Sequence, residues 1–215
     1  MNSFELTING VFLLLTPEKA VIQPKLNTMY VADTHFGKAG FYRDQGIAVP
    51  SSVTDSDYQK LDLLIEYHQI STIVFLGDLF HNYYNTEWED FIHWRKTHSS
   101  VDMKLIEGNH DQLSEKLYQE ASLKVFCEPH EFNGLVLAHY KERITKNKSI
   151  GLCGHVHPGI KLSGKGRQTL SLPCYYLSNN IITLPSFGRF TGLGMVQPKP
   201  DERFFVVTEN KVLEV

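Results

Sequence analysis

Residues 72–111, TIVFLGDLFHNYYNTEWEDFIHWRKTHSSVDMKLIEGNHD, decide how the rest of the chain is read. Thr72–Leu76 is a short β-branched and apolar run that ends at Gly77-Asp78, as a buried strand does. Thr86–Lys96 has helical spacing, with Trp88, Phe91 and Trp94–Arg95 on or near one face. Met103–Ile106 is a second apolar run, and it stops at Gly108-Asn109-His110-Asp111. Strand, helix and strand therefore alternate, and each strand hands over to residues that can bind a cation.

The pattern extends in both directions. Upstream, Thr28–Ala32 ends abruptly at Asp33-Thr34-His35, and Ser51–His68 is spaced as a helix. That helix has Val53, Leu61, Leu64 and Ile65 as candidate core residues and Ser or Thr near its start as a cap. Phe4–Ile8, Asn9-Gly10 and Val11–Leu15 predict a hairpin, because Asn-Gly suits the positive φ angles of a type I′ turn. Lys19–Ile22 adds a short strand before Pro24. Downstream, Gln112–Ala121 reads as a third helix, after which the helices stop. Leu123–Cys127, Leu135–Ala138, Ile150–Cys153, Ile160–Leu162, Thr169–Leu177, Ile181–Leu184 and Arg203–Val215 are strand-like, the last with a turn at Glu209-Asn210. An alternating first half and a strand-rich second half predict an α/β protein built on a mixed sheet or two packed sheets, not a purely parallel fold. No repeat or linker divides the chain, so residues 1–215 read as one domain.

Composition removes several classes. With 42% hydrophobic and 21% charged residues, the 215-residue chain can bury a core, so disorder is excluded. A formal charge of −3 argues against a surface coated in basic charge. Three cysteines without a C-x-x-C pair suggest a reducing compartment. No signal peptide and no apolar run of membrane length are present, so a cytoplasmic location is expected.

Ten histidines stand out, and five of them fall at strand ends together with carboxylates. Asp33 and His35 follow Tyr30–Ala32, Asp78 follows Ile73–Leu76, and Asn109-His110-Asp111 follow Lys104–Ile106. His139 follows Leu135–Ala138, and His155 and His157 follow Ile150–Cys153. Strand ends on one edge of a sheet converge in space. A set of imidazole, carboxylate and amide donors without a thiolate suits Mn, Fe or Zn and disfavours a Cys-type zinc site.

Taken in order, Asp33-x-His35, Gly77-Asp78, Gly108-Asn109-His110-Asp111, His139 and Gly154-His155-Val156-His157 resemble the motif series of the calcineurin-like metallophosphoesterases. A lone Gly-Asp or Asp-x-His carries little weight, but five motifs in order, each after an apolar run, are specific. The segments ADTHFGKAGFYRDQGIAVP, GDLFH, GHVHPGIKL and LPSFGRFTG further resemble the bacterial DNA ligase-associated (PdeM-like) branch, which implies DNA ligase and helicase repair partners. The resemblance implies a four-layer αββα sandwich of two mixed sheets flanked by helices. It also implies two divalent metal ions, with manganese expected and iron or zinc as alternatives. Asp33, His35 and His157 would hold one ion, and Asn109, His139 and His155 the other, with Asp78 bridging. Such a pair can hold a hydroxide for in-line attack on a phosphodiester. His110 would then protonate the leaving oxygen, with Asp111 orienting its imidazole.

Two positions depart from the family pattern. His81 stands where many members carry a further carboxylate, and Tyr140 follows His139 where many have Gly. His130 is a rival donor to His139, but it follows Pro129 rather than an apolar strand, which favours His139. Gly159–Lys165 matches most of a P-loop, yet Gly166 replaces the required Ser or Thr and no helix follows. Residues 141–167 carry seven cations against Glu142, a net of +6 beside His155 and His157, and could collect a phosphate-rich substrate. Arg43 and Arg189, in the branch-like segments, are candidate phosphate contacts. The leading expectation is a phosphodiesterase acting on DNA in repair. The alternatives are a small-molecule or nucleotide phosphoesterase and a metal-bound binding module without turnover.

Overall fold

The computed structural model describes residues 2–49, 52–81, 84–145, 149–164, 166, 168–189 and 191–215, with backbone only at 52–55. The first sheet has seven strands in sequence order: β1 (Phe4–Ile8), β2 (Val11–Leu15), β3 (Val21–Gln23), β4 (Thr28–Val31), β5 (Thr72–Leu76), β6 (Asp102–Ile106) and β7 (Leu123–Phe126). Neighbours are antiparallel up to β4 and parallel from β4 to β7. The hairpin forms as expected: Ile8 faces Val11, with Asn9 and Gly10 at φ 46° and 82°.

The second sheet contains β8 (His130–Phe132), β9 (Leu135–Leu137), β10 (Ile150–Cys153), β11 (Pro158–Ser163), β12 (Thr169–Ser178), β13 (Ile181–Thr183), β14 (Gly194–Met195), β15 (Arg203–Val207) and β16 (Val212–Glu214). Here β9, β10 and β13 run parallel. The long β12 pairs β11 through its first half and β13 and β15 through its second. Residues 159–163 of the P-loop-like stretch thus lie on strand β11 of a hairpin, and among the described residues no α-helix follows.

Two cores explain the sequence pattern. Between the sheets, Leu6, Leu13, Tyr30, Val74 and Ile106 meet Leu137, Leu152, Tyr175, Ile182 and Phe205. On the outer face of the first sheet, Met29, Ile73, Phe75, Met103 and Leu105 lie beneath Leu61 and Leu64 of α2 (Ser52–His68), Trp88, Phe91 and Trp94 of α3 (Glu87–Thr97), and Tyr118 of α4 (Glu115–Glu120). Strands β4–β6 are covered on both faces, which is why they read as unbroken apolar runs. The sandwich is the expected one, but its fourth layer is thin. Among the described residues, the outer face of the second sheet is covered at Cys153 and Ile181 by Ala138 and Ile144, beside a 3₁₀ turn at Lys141–Arg143.

One element was not foreseen. Helix α1 (Lys38–Asp44) begins after Gly37 and contains Gly40, and glycines weaken the helical signal. The third helix is shorter than expected because Gln112–Ser114 stay in the turn that follows His110, with Gln112 N–H on the His110 carbonyl at 2.9 Å. Ser51 and the side chain of Val53 lie outside the described residues. No helix among those described is long and apolar enough to cross a membrane.

Tyr175 joins the two sheets. It is fully buried, and its hydroxyl donates to the carbonyls of Thr16 (2.8 Å) and Ala20 (2.9 Å) between β2 and β3. Tyr175→Phe is expected to destabilise the protein by about 1–2 kcal/mol. That corresponds to a fall in Tm of about 2–8 °C by calorimetry, and an unchanged melting curve would refute the contribution.

Candidate metal centre and active site

Both sheets deliver the C-terminal ends of parallel strands to one edge, and five loops leave from there. The loop after β4 continues alongside the loop after β5: Asp33 N–H donates to the Gly77 carbonyl (3.2 Å), His35 to Asp78 (2.9 Å) and Phe36 to Leu79 (2.9 Å). The loop after β10 joins them through His155 N–H on the Asp33 carboxylate, at 2.9 and 3.1 Å. The loop after β9 joins through His139 Nδ1, 3.0 Å from the Leu76 carbonyl. The loop after β6 is held by Asp111, whose Oδ2 accepts N–H bonds from Asp78 (2.8 Å) and Gly108 (2.9 Å) and whose Oδ1 accepts from Leu79 (2.9 Å) and Phe80 (3.4 Å).

These loops gather donors into two adjoining groups, each with its donor atoms within 4.8 Å of one another. One is Asp33, His35 and His157; the other is Asp78, His139 and His155. Asp33 and His139 are fully buried and Asp78 is 3% exposed. Asp78 spans the two groups, with Oδ2 3.6 Å from His35 Nε2 and Oδ1 3.6 Å from His139 Nε2. Asn109 Oδ1 lies 3.1 Å from His139 Nε2, so it sits beside the second group. Five of these residues, Asp33, His35, Asp78, His155 and His157, adopt positive φ angles of 46–70°. Left-handed backbone at non-glycine residues is unfavourable and persists where the surroundings enforce it. Glycines make the approach possible. A Cβ on Gly77, itself at φ +80°, would stand 2.2 Å from His139 Nδ1, and one on Gly108 would stand 2.5 Å from Asp78 Oδ1.

The donor chemistry fits divalent cations. His139 presents Nδ1–H to a carbonyl, which leaves Nε2 with its lone pair toward Asp78 and Asn109. Burial, aided by Lys38 and neighbouring imidazoles, pushes His35 down to about 2, and burial likewise lowers His155. Neutral imidazoles are the form that binds a metal. Among the described residues, the ion-pair partners of Asp33 and Asp78 within 4 Å are all histidines, so both buried carboxylates lie directly against imidazoles.

The other predicted residues fall in varied places. His110 is half-buried, its ring 5.2 Å from that of His35, and its N–H donates to Asp78 Oδ1 at 2.9 Å. Asp111, expected to orient the His110 imidazole, has its carboxylate engaged by the backbone of two loops, so it braces the site. Desolvation raises this carboxyl to about 7 while the N–H bonds oppose the shift. A proton on either oxygen would face backbone donors, so the ionised form suits the geometry. Arg43 is tied to its own neighbourhood. It forms an ion pair with Glu87, which is 2% exposed, and donates to the Val49 carbonyl at 3.3 Å, so it ties helix α1 to the scaffold. Arg189 is exposed, on a loop whose Ser186 hydroxyl and Gly188 N–H bond the Asp33 carbonyl. His130 lies on β8 against the Phe126 ring, and His139 occupies the second group instead.

His81 stacks on His110 at 5.2 Å and is pushed down to about 4, first by burial. Of the basic segment, Lys146, Lys148, Lys165 and Arg167 lie outside the described residues. Lys141 rests over the Tyr176 ring, Arg143 pairs with Glu128 and Lys161 is exposed. Three residues near the site were missed. Lys38 interacts electrostatically with Asp78, His35 and His81. Tyr140 donates its hydroxyl to Asn109 Oδ1 at 2.9 Å, and Glu128 accepts the N–H groups of His139 (2.7 Å) and Tyr140 (2.9 Å). Lys38, three residues after His35, and Tyr140, a departure from the family pattern, carried a visible signal.

A sandwich of two mixed sheets with two oxygen- and nitrogen-donor groups at one edge defines a metal-dependent phosphoesterase. The family model for calcineurin-like phosphoesterases matches residues 26–191, and the chain belongs to that family. The crystal structure of the Pseudomonas putida nuclease MPE is similar over 99% of this chain and 100% of its own, with 28% identity and a TM-score of 0.82. No curated protein matches the sequence significantly.

Proposed function

We propose that this protein is a two-metal phosphodiesterase acting on DNA, working as one domain in the cytoplasm. The observation that carries the reading is the pair of adjoining groups, Asp33–His35–His157 and Asp78–His139–His155, with Asp78 between them. Asn109 completes the second. Manganese is the expected metal, since imidazole with carboxylate and amide oxygen suits it. Two such cations supply the charge that makes water nucleophilic near neutral pH and that neutralises phosphoryl oxygens.

The chain's own residues do the rest. Asp78 fixes the spacing of the two groups and holds the His110 backbone. His110, braced against the His81 ring, donates a proton to the leaving oxygen. Lys38 and Arg189 attract the substrate phosphate. Support for DNA comes from the likeness to a nuclease and from the segments resembling the ligase-associated branch, which also favour DNA ligase and helicase partners.

Hydrolysis of bis(p-nitrophenyl) phosphate tests the activity: it should disappear on chelation and return with Mn²⁺. His110→Ala should lose about 10²–10⁴-fold in kcat while retaining its metals, and unchanged turnover would remove the acid assignment. Competition by a nicked or single-stranded oligonucleotide separates a DNA substrate from a small diester.

A further inference from the structure

We propose that the cleft beside Tyr140 binds a nucleobase flanking the scissile phosphate, an assignment that rests on the phosphodiesterase reading above. Tyr140 touches two residues of the second donor group and Asn109 beside it. Its hydroxyl donates to Asn109 Oδ1 at 2.9 Å, and its ring lies 4.9 Å from that of His139 and 4.3 Å from that of His155. The tyrosine is half-buried, and it lines a cleft of about 350 Å³ that runs from Asn109 to Arg143. A group lying in this cleft is therefore directly beside a phosphate held by the donor groups.

Charge selects the kind of group. The cleft is lined by two carboxylates, Glu107 and Glu128, against one guanidinium, Arg143. A net negative lining disfavours a second phosphate and accepts a neutral planar ring with N–H donors. The wall is also fixed in place. Glu128 Oε2 holds the N–H groups of His139 and Tyr140, and Glu128 Oε1 lies 3.4 Å from Arg143 Nε. An aromatic ring on a fixed wall is what base stacking uses, and stacking tolerates every base.

Calorimetric titration of the Mn²⁺-loaded protein with thymidine 5′-monophosphate and with inorganic phosphate tests the assignment, with metal content measured on each variant. The wild type should bind the nucleotide about 5- to 150-fold more tightly than phosphate. Tyr140→Leu should erase that preference while binding phosphate as tightly as Tyr140→Phe, since both lose the hydroxyl on Asn109. Tyr140→Phe, which keeps the ring, should retain the preference. Equal affinities in the wild type, an equal loss of both ligands in Tyr140→Leu, or loss of the preference in Tyr140→Phe would each overturn the subsite. Diester turnover is scored separately: bis(p-nitrophenyl) phosphate cleaved without any nucleotide preference overturns the subsite alone. A nucleotide preference without diester cleavage supports the subsite and overturns the activity.

Discussion

Asp78→Asn is expected to lower hydrolysis of bis(p-nitrophenyl) phosphate by about 10³-fold or more. The carboxylate is 3% exposed and stands 3.6 Å from one imidazole of each donor group. The amide preserves the shape but removes the negative charge and turns one oxygen into a donor that faces a histidine. Loss of about 4 kcal/mol of charge stabilisation is about a thousandfold in rate. Metal content by mass spectrometry should fall with it, because each imidazole group loses the anionic partner it shares. Turnover within tenfold of wild type, with full metal content, would sink the bridging role.

Asp111→Ala is expected to destabilise the fold by about 3–5 kcal/mol, since four backbone N–H groups lose a buried anionic acceptor. For a chain of this size that lowers Tm by about 6–20 °C. Asp111→Asn, which retains one acceptor oxygen, should fall between wild type and alanine. If Asp111 acted only on the His110 imidazole, both variants would lose kcat and melt as wild type. Melting curves recorded on metal-free protein separate the two roles, because metal loading then cannot mask the loss. A wild-type Tm for Asp111→Ala would refute the bracing role.

The two predictions differ in how visible their residues' roles were beforehand. Asp78 was legible because it ends an apolar strand, and an ionisable group at such a junction has few structural reasons to be there. The same logic found Asp33, Asn109, His139 and His155. For Asp111 the residue was legible but not its task, which depends on N–H groups more than thirty residues earlier in the chain. Arg43 is similar: its partner Glu87 is forty-four positions away, and a guanidinium in a motif looks the same whether it meets a phosphate or a buried carboxylate. Tyr140 stood out only as a departure from the family pattern and Glu128 not at all, because their contacts follow from how the loops fold over one another.

The sequence by itself determined the strand ends, the two-sided burial of β4–β6, the hairpin at Asn9-Gly10 and the donor set with its cation chemistry. These follow from periodicity, turn stereochemistry and side-chain type, which are local properties. Periodicity and side-chain type left open which donors share a group, a division that only the family resemblance implied; the tertiary structure brings the donors together, pairing Asp33 with His157 across the two sheets. It also decided that among the described residues the second sheet has little helical cover, that Asp111 braces and that Tyr140 lines a cleft. Those outcomes depend on sheet packing and on hydrogen bonds between distant loops, and local sequence carries no term for either.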